Sequence, residues 1–83
     1  MTMTDLVILE FLNDYDLELA PKPLYRNLNR HGHDIGYSTV RGRLPDLAEK
    51  GLLVKDTDGY YHLSDLGREY LAGDIDADEL EDV

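Results

Sequence analysis

Five basic side chains lie close together in one part of a chain that is otherwise acidic. They fall within residues 22–43, which contain a single acidic residue, Asp34. This segment therefore has a net charge of +4, whereas the whole protein has a net charge of -10. Arginine and lysine neutralise phosphates, and arginine also pairs with the edges of guanine. The chemistry that this segment predicts is therefore the binding of a polyanion. The five side chains are Lys22, Arg26, Arg30, Arg41 and Arg43.

The overall acidity has three competing explanations. The chain could avoid nucleic acid, it could mimic DNA, or its surface could be adapted to concentrated salt. Its 18 acids include 12 Asp, and only three of its basic residues are Lys. Excess Asp with scarce Lys is typical of extreme halophiles, whose proteins stay hydrated in molar salt, where screening acts within about 3 Å. Neither a purely solvent-driven acidic surface nor a DNA mimic would leave one segment strongly basic. The basic segment therefore indicates a binding function, carried by a protein whose remaining surface is adapted to salt.

The hydrophobic pattern predicts which elements carry these residues, beginning with a helix that has Thr4 as its N-cap. This first helix is apolar nearly all round, which indicates burial on more than one side. Its second contact would be the C-terminal helix or another subunit. Val7, Phe11 and the C-terminal segment are therefore the candidate surface for a homodimer.

A second helix opens at Pro21, where the missing N–H costs little, and ends at Gly32. Arg26 and Arg30 are four residues apart and form an exposed basic edge on this helix. Residues 38–50 then form a third helix, with Ser38 as the N-cap. Pro45 should bend its axis, but the apolar stripe runs through that position. The stripe consists of Val40, Leu44 and Leu47.

Residues 52–63 are predicted to form a β-hairpin around the turn signal Asp58-Gly59. Ser64 then caps a fourth helix. The predicted domain covers residues 1–73, and residues 74–83 form an acidic C-terminal helix or tail. The fold class is mainly α with a small hairpin, in the order helix-helix-helix-hairpin-helix.

Two helices joined by a short connector and followed by a hairpin predict a winged helix-turn-helix. The second of the two helices fits the major groove of DNA, and the hairpin adds an arm for phosphates or the minor groove. The alternative is a winged helix that binds only protein, which the acidic net charge would favour.

Three stretches of the sequence resemble known winged-helix repressors. YSTVRGRLPDLAEKGLL (residues 37–53) resembles their recognition helix and first strand, and GYYHLSDLGREYL (residues 59–71) resembles their wing and following helix. ILEFL (residues 8–12) fits their first helix. Together these stretches resemble the haloarchaeal phage phi-H repressor-like group of transcription regulators. This resemblance implies DNA binding through the recognition helix and the wing.

The candidate contacts on the third helix are polar and basic. Arg41 and Arg43 could pair with guanine edges or with phosphates. Ser38 and Thr39 could bind phosphate or base at the helix N-terminus, although Ser38 could equally be only a cap. Glycine is costly within a helix, so Gly42 indicates either close approach to the groove or crowding against another helix.

The remaining candidates come from the connector and the wing. Tyr37 could stack on a sugar or cover the core. Lys55, Tyr60 and His62 are the candidate contacts of the wing, each of which could instead be structural.

Little in the sequence favours other function classes. The chain has no cysteine, and His31, His33 and His62 do not have the spacing of a metal site. No catalytic constellation stands out, so we expect neither an enzyme nor a cofactor. No apolar run approaches a membrane span, and no secretory signal is evident, so we expect a cytoplasmic protein.

Overall fold

The computed structural model describes residues 2–73, and the predicted C-terminal tail lies outside these residues. The two strands pair antiparallel, with Leu53 opposite Leu63. The predicted order of elements and the mainly helical fold class are confirmed. The elements are α1 (Met3–Tyr15), α2 (Pro21–Arg30), α3 (Tyr37–Glu49), β1 (Leu53–Lys55), β2 (Tyr61–Leu63) and α4 (Asp65–Leu71).

The first helix begins earlier than predicted, because Thr2 and not Thr4 is its N-cap. The backbone N–H of Asp5 donates to the Thr2 hydroxyl at 3.2 Å, and the backbone N–H of Thr2 donates to the Asp5 carboxylate at 3.2 Å. This reciprocal capping box satisfies two N–H groups that would otherwise lack a partner. Thr4 lies within the first turn of α1.

Helix α1 is buried on several sides by its own subunit. It packs against α3, α4 and β2. Phe11, which is only 5% exposed, contacts the rings of Tyr15 and His31 at centroid distances of 4.9 and 5.3 Å. Of the two side chains predicted for a subunit interface, only Val7 is therefore partly exposed.

Helix α2 ends at a glycine, as predicted. Gly32 has a φ of +92°, and the N–H of His33 donates to the carbonyl of Leu28 at 2.9 Å. This is the bonding pattern of a Schellman motif, which reverses the chain and leads it towards α3.

Helix α3 begins one residue before its predicted start, with Gly36 as the N-cap. The prediction that Ser38 caps it is wrong, since Ser38 lies in the first turn and is exposed. The helix continues through Pro45, which is also exposed, so the carbonyl left without an N–H partner there faces solvent. The predicted stripe of Val40, Leu44 and Leu47 is fully buried.

The hairpin and α4 close the core behind α3. Leu19, from the segment before α2, pairs with Tyr61 through two backbone hydrogen bonds of 2.9 and 3.0 Å. Ser64 caps α4 as predicted, its hydroxyl accepting from the N–H of Gly67 at 2.9 Å and donating to the Gly51 carbonyl at 2.6 Å. No helix within residues 2–73 is long and apolar enough to cross a membrane.

Candidate nucleic-acid interface

The outward face of α3 is exposed and carries small side chains in its N-terminal part. Ser38, Gly42 and Pro45 all lie on this face, opposite the buried stripe. A Cβ built on Gly42 would meet no atom within 4 Å. Crowding against another helix therefore does not explain this glycine, and close approach of an external surface remains as its predicted role.

Arg41 is the basic side chain of α3 that is best placed to contact a molecule outside the protein. It is exposed, and within residues 2–73 none of the ion pairs involves it. Tyr37 lies four residues earlier, on the same side of the helix. The Tyr37 ring contacts the ring of Tyr25 in α2 at a centroid distance of 5.6 Å, so Arg41 lies on the side of α3 that adjoins α2.

Arg43, two residues further on, lies on the other flank and is bound within the protein. Its Nε and second terminal nitrogen donate to the two oxygens of Asp5 at 2.7 and 2.9 Å, and its first terminal nitrogen donates to Asp46 at 2.8 Å. The Asp5 side chain is fully buried, while that of Arg43 is 28% exposed. The guanidinium thus joins the start of α1 to the middle of α3.

The ionisation of this pair follows from its surroundings. Burial opposes the charged form of Asp5, but hydrogen bonds from Arg43 and Thr2 and the charge of Arg43 together outweigh it. The pKa of Asp5 consequently lies below its ordinary value of 3.8. The hydrogen bond to Asp5 raises the pKa of Arg43 above its usual range, against the effect of burial.

The start of α3 has no side-chain cap. Its N-cap Gly36 has no side chain, whereas α1 and α4 begin with the hydroxyls of Thr2 and Ser64 as caps. The first N–H groups of α3 therefore point outward without an acceptor from the helix itself. Such groups attract anions, and Ser38 and Thr39 stand exposed beside them.

Helix α2 contributes a row of basic side chains beside this helix start. Lys22, Arg26 and Arg30 recur every four residues on its exposed face. Asn29 fixes the approach of α2 to the connector, since its side-chain amide donates to the carbonyls of Ile35 and Tyr25 at 2.9 and 3.0 Å. Sequence reasoning counts Lys22 in the basic segment without naming it as an individual contact, and it does not assign Asn29 to the site.

We call these exposed cations, Lys22, Arg26, Arg30 and Arg41, the basic surface. The C-terminal half of α3 differs from it, because Asp46 and Glu49 are exposed there. The carboxylate of Glu49 would repel a phosphate backbone, and that of Asp46 offsets the charge of Arg43. The charge of α3 thus favours an approach by its N-terminal half.

The wing carries acidic side chains beside its candidate contact residues. Lys55 is exposed, with its ammonium 5.9 Å from the centre of the Tyr61 ring, and Tyr60 is exposed. The Nδ1 atom of His62 lies 3.7 Å from a carboxylate oxygen of Glu18. At the tip, Asp56 accepts hydrogen bonds from the backbone N–H groups of Asp58 and Tyr60, which closes the turn around two carboxylates.

The structure thus brings together most of the predicted site on one pair of helices. Arg26, Arg30, Tyr37, Ser38, Thr39, Arg41 and Gly42 belong to α2 and the N-terminal half of α3, Arg43 is bound to Asp5, and Lys55, Tyr60 and His62 belong to the hairpin. Contact of these side chains with DNA stays a prediction. Within residues 2–73, no group of three or more His, Asp or Glu side chains could hold a metal ion.

A helix with an exposed outer face, braced by a preceding helix and followed by a two-stranded hairpin and a further helix, defines a winged helix-turn-helix domain. The family model for the winged helix-turn-helix phage repressor matches residues 1–83. The chain belongs to this family, which makes it a regulator rather than an enzyme.

Two relatives agree with this assignment. The chain is 36% identical over 86 residues to the repressor protein of Halobacterium phage phiH, covering 98% of this chain and 90% of that protein. It is also similar to the crystal structure of the PhiH1 repressor-like protein from Haloarcula marismortui, with a TM-score of 0.74 and 34% identity over 88% of this chain and 78% of that one. The resemblance to phi-H repressor-like regulators seen in the sequence is confirmed.

Proposed function

We propose that this protein is a sequence-specific, repressor-like transcription regulator that binds double-stranded DNA. In this proposal the N-terminal half of α3 enters the major groove, while Lys22, Arg26 and Arg30 of α2 lie along the phosphate backbone. The observation that carries the proposal is the exposed Arg41, beside an uncapped helix start and a row of cations on α2.

The residues in the N-terminal half of α3 have distinct roles in this proposal. Arg41 pairs with a base edge, most favourably a guanine, for which arginine supplies two parallel donors. Ser38 and Thr39, with the first N–H groups of α3, bind a phosphate. Gly42 allows the helix axis to come close to the groove floor, since no side chain intervenes there.

The hairpin has a secondary role in the proposal. Lys55, Tyr60 and His62 lie on or near it and would contact the DNA backbone. The carboxylates of Asp56 and Asp58 at its tip are unfavourable next to phosphates, so we assign the hairpin contacts to its sides. Tyr37 packs on Tyr25 and acts chiefly by positioning the start of α3.

The medium in which the protein acts also belongs to the proposal. If all five basic residues of 22–43 neutralised phosphates, log K would fall with log salt with a slope of about -4 to -5. In molar salt such a contribution to affinity would be small. We therefore propose that a halophilic, cytoplasmic regulator gains its affinity mainly from base contacts, shape fit and bridging water.

Two copies would supply the specificity that one helix lacks. One recognition helix contacts only a few base pairs, whereas a dimer contacts two half-sites about one helical turn apart. The candidate interface is the partly exposed side of α1 at Val7, together with the C-terminal segment. Sedimentation of the protein with its DNA would detect the dimer, and a stable monomer both free and on DNA would contradict it.

Selection from random duplexes in concentrated KCl tests the proposed function. The protein should enrich a short sequence, and a palindromic sequence if it binds as a dimer. Recovery of duplexes without any common sequence would overturn specific recognition. Failure to retain any duplex would overturn DNA binding altogether and would leave the protein-binding winged helix as the better hypothesis.

A further inference from the structure

Arg41 and Arg43 lie two residues apart on α3 but have opposite surroundings. Arg41 is exposed and has no acidic partner within residues 2–73. Arg43 has three of its nitrogens engaged, two on Asp5 and one on Asp46, at 2.7 to 2.9 Å. A guanidinium held by two carboxylates presents no net positive charge to its surroundings.

The Asp5–Arg43 pair is held in place from both ends. Asp5 is fully buried and is fixed at the start of α1 by its reciprocal hydrogen bonds with Thr2. A paired guanidinium and carboxylate with two parallel hydrogen bonds has a defined geometry and is stronger than a single contact. Removing one partner of such a pair leaves the other as an unpaired charge, so the two residues stay together in the folded protein.

The Arg43 side chain nevertheless lies at the border of the surface, with 28% of it exposed. Its long side chain would reach outward if its carboxylate partner were absent. It lies in the same half-turn of α3 as Gly42, which faces the predicted groove. In the proposed mode of DNA binding, a freed Arg43 would come within reach of the phosphates that flank the groove.

We propose that Asp5 is a specificity-determining residue that keeps Arg43 away from the DNA backbone. The proposal rests on DNA binding by α3. The domain thereby presents only Arg41, of these two arginines, to DNA. Its non-specific electrostatic affinity for DNA, which falls with added salt, consequently stays low. Asp46 assists by occupying the remaining terminal nitrogen of Arg43.

The dependence of DNA affinity on KCl distinguishes this role from a merely structural one. Asp5→Asn keeps the size of the side chain and its cap on Thr2 but removes the charge that binds Arg43. We expect the slope of log K against log KCl, measured on a random duplex, to become steeper by up to about 0.9 for each protein copy, the full value applying if phosphate also displaces Asp46 from Arg43. Asp14→Asn removes the same charge from an exposed position on the same helix, and its slope should match that of the wild type.

A double variant keeps the test decisive if Asp5→Asn does not fold. Asp5→Asn with Arg43→Gln leaves the net charge unchanged and retains hydrogen-bonding groups at both positions. Its slope should equal that of the wild type, because neither protein offers Arg43 to phosphate. Circular dichroism at each salt concentration establishes that the variants are folded.

Two results would overturn the proposal. One is a folded Asp5→Asn variant whose slope equals that of the wild type. The other is a double variant whose slope is shallower by about 0.9, which would mean that Arg43 already binds a phosphate in the wild-type protein. A wild-type protein that binds no duplex at any salt would instead overturn the proposed function, and this proposal with it.

Discussion

At the scale of single residues, two near neighbours that look equivalent in the sequence have different surroundings in the structure. Arg41 and Arg43 are both arginines of α3, but only Arg43 forms an ion pair with Asp5, which lies 38 positions earlier in the chain. Sequence reasoning treats both as candidates for pairing with guanine edges or with phosphates, because the distant carboxylate cannot be read from local spacing. The T-x-x-D signature at Thr2 is typical of a capping box, and this capping box holds Asp5 in position.

Gly42→Ala is expected to change stability and DNA affinity in opposite directions. A methyl group here meets no atom within 4 Å, and alanine is better than glycine within a helix, so the free energy of unfolding should rise by about 0.5–1 kcal/mol. DNA affinity should fall if the helix needs close approach at this point. Urea unfolding and binding titrations with the selected duplex measure the two effects; a stabler variant with unchanged affinity would contradict the role given to Gly42.

The Asp5–Arg43 pair predicts a defined dependence of stability on pH. Because the pKa of Asp5 is lower in the folded protein than its ordinary value of 3.8, its charge stabilises the fold fully above that value. The contribution is lost as the pH falls through the lowered pKa. The difference in unfolding free energy between the wild type and Asp5→Asn should therefore be largest near neutral pH and shrink below pH 3.8.

The matched variant Asp14→Asn controls for the loss of one carboxylate from α1. The unfolding free energy of each protein is measured by urea denaturation across the same pH series. A difference between wild type and Asp5→Asn that stays constant through the acid range would show that the charge of Asp5 does not stabilise the fold.

At the scale of the elements, hydrophobic periodicity predicted the helices and turn residues predicted their ends. The stripe of α3, the stop at Gly32 and the cap at Ser64 are where the pattern placed them. The start of α3 was misplaced because serine is a common N-cap, and the true cap, Gly36, has no side chain to signal it. The helix continues through Pro45 because this proline lies on the exposed face, opposite the buried stripe.

The contact of α4 with the hairpin predicts a second glycine effect, opposite in sign to that of Gly42. A Cβ on Gly67 would collide with the Leu52 carbonyl and lie 2.6 Å from a methyl carbon of Leu63. Gly67→Ala should therefore lower the unfolding free energy by about 1–3 kcal/mol, as overpacking usually does. Gly42→Ala, which adds the same methyl in open space, is the matched control, and a Gly67→Ala variant as stable as the wild type would show that α4 does not pack this tightly.

At the scale of the whole molecule, charge is divided between regions and not spread evenly. The net charge of -10 belongs to a protein whose α2 and α3 carry an exposed row of cations. Composition alone does not distinguish a protein that avoids DNA from one whose acidic surface is adapted to concentrated salt. The distribution along the chain favoured the second, and membership of the repressor family agrees with a regulator.

Added KCl should stabilise the fold if the acidic surface is an adaptation to salt. Net repulsion among the carboxylates is screened more strongly as the ionic strength rises. The free energy of unfolding, measured by urea denaturation, is therefore expected to increase with KCl and to level off towards molar concentrations. Asp14→Asn, with one charge fewer, should depend on KCl slightly less, and a fold that loses stability with added KCl would argue against this account of the acidity.

The proposed contact of Arg41 with DNA is tested most directly by comparing how Arg41→Ala and Arg68→Ala bind the duplex obtained by selection. Both variants remove one arginine, but Arg68 lies on α4, where it pairs with Asp16 and Asp65 at 3.4 and 3.3 Å. Arg41→Ala should weaken binding by about 1–3 kcal/mol and reduce the preference for the selected sequence over a scrambled one, while Arg68→Ala should change neither. An Arg41→Ala variant that binds with wild-type affinity and preference would contradict the assignment of α3 as the helix that recognises DNA.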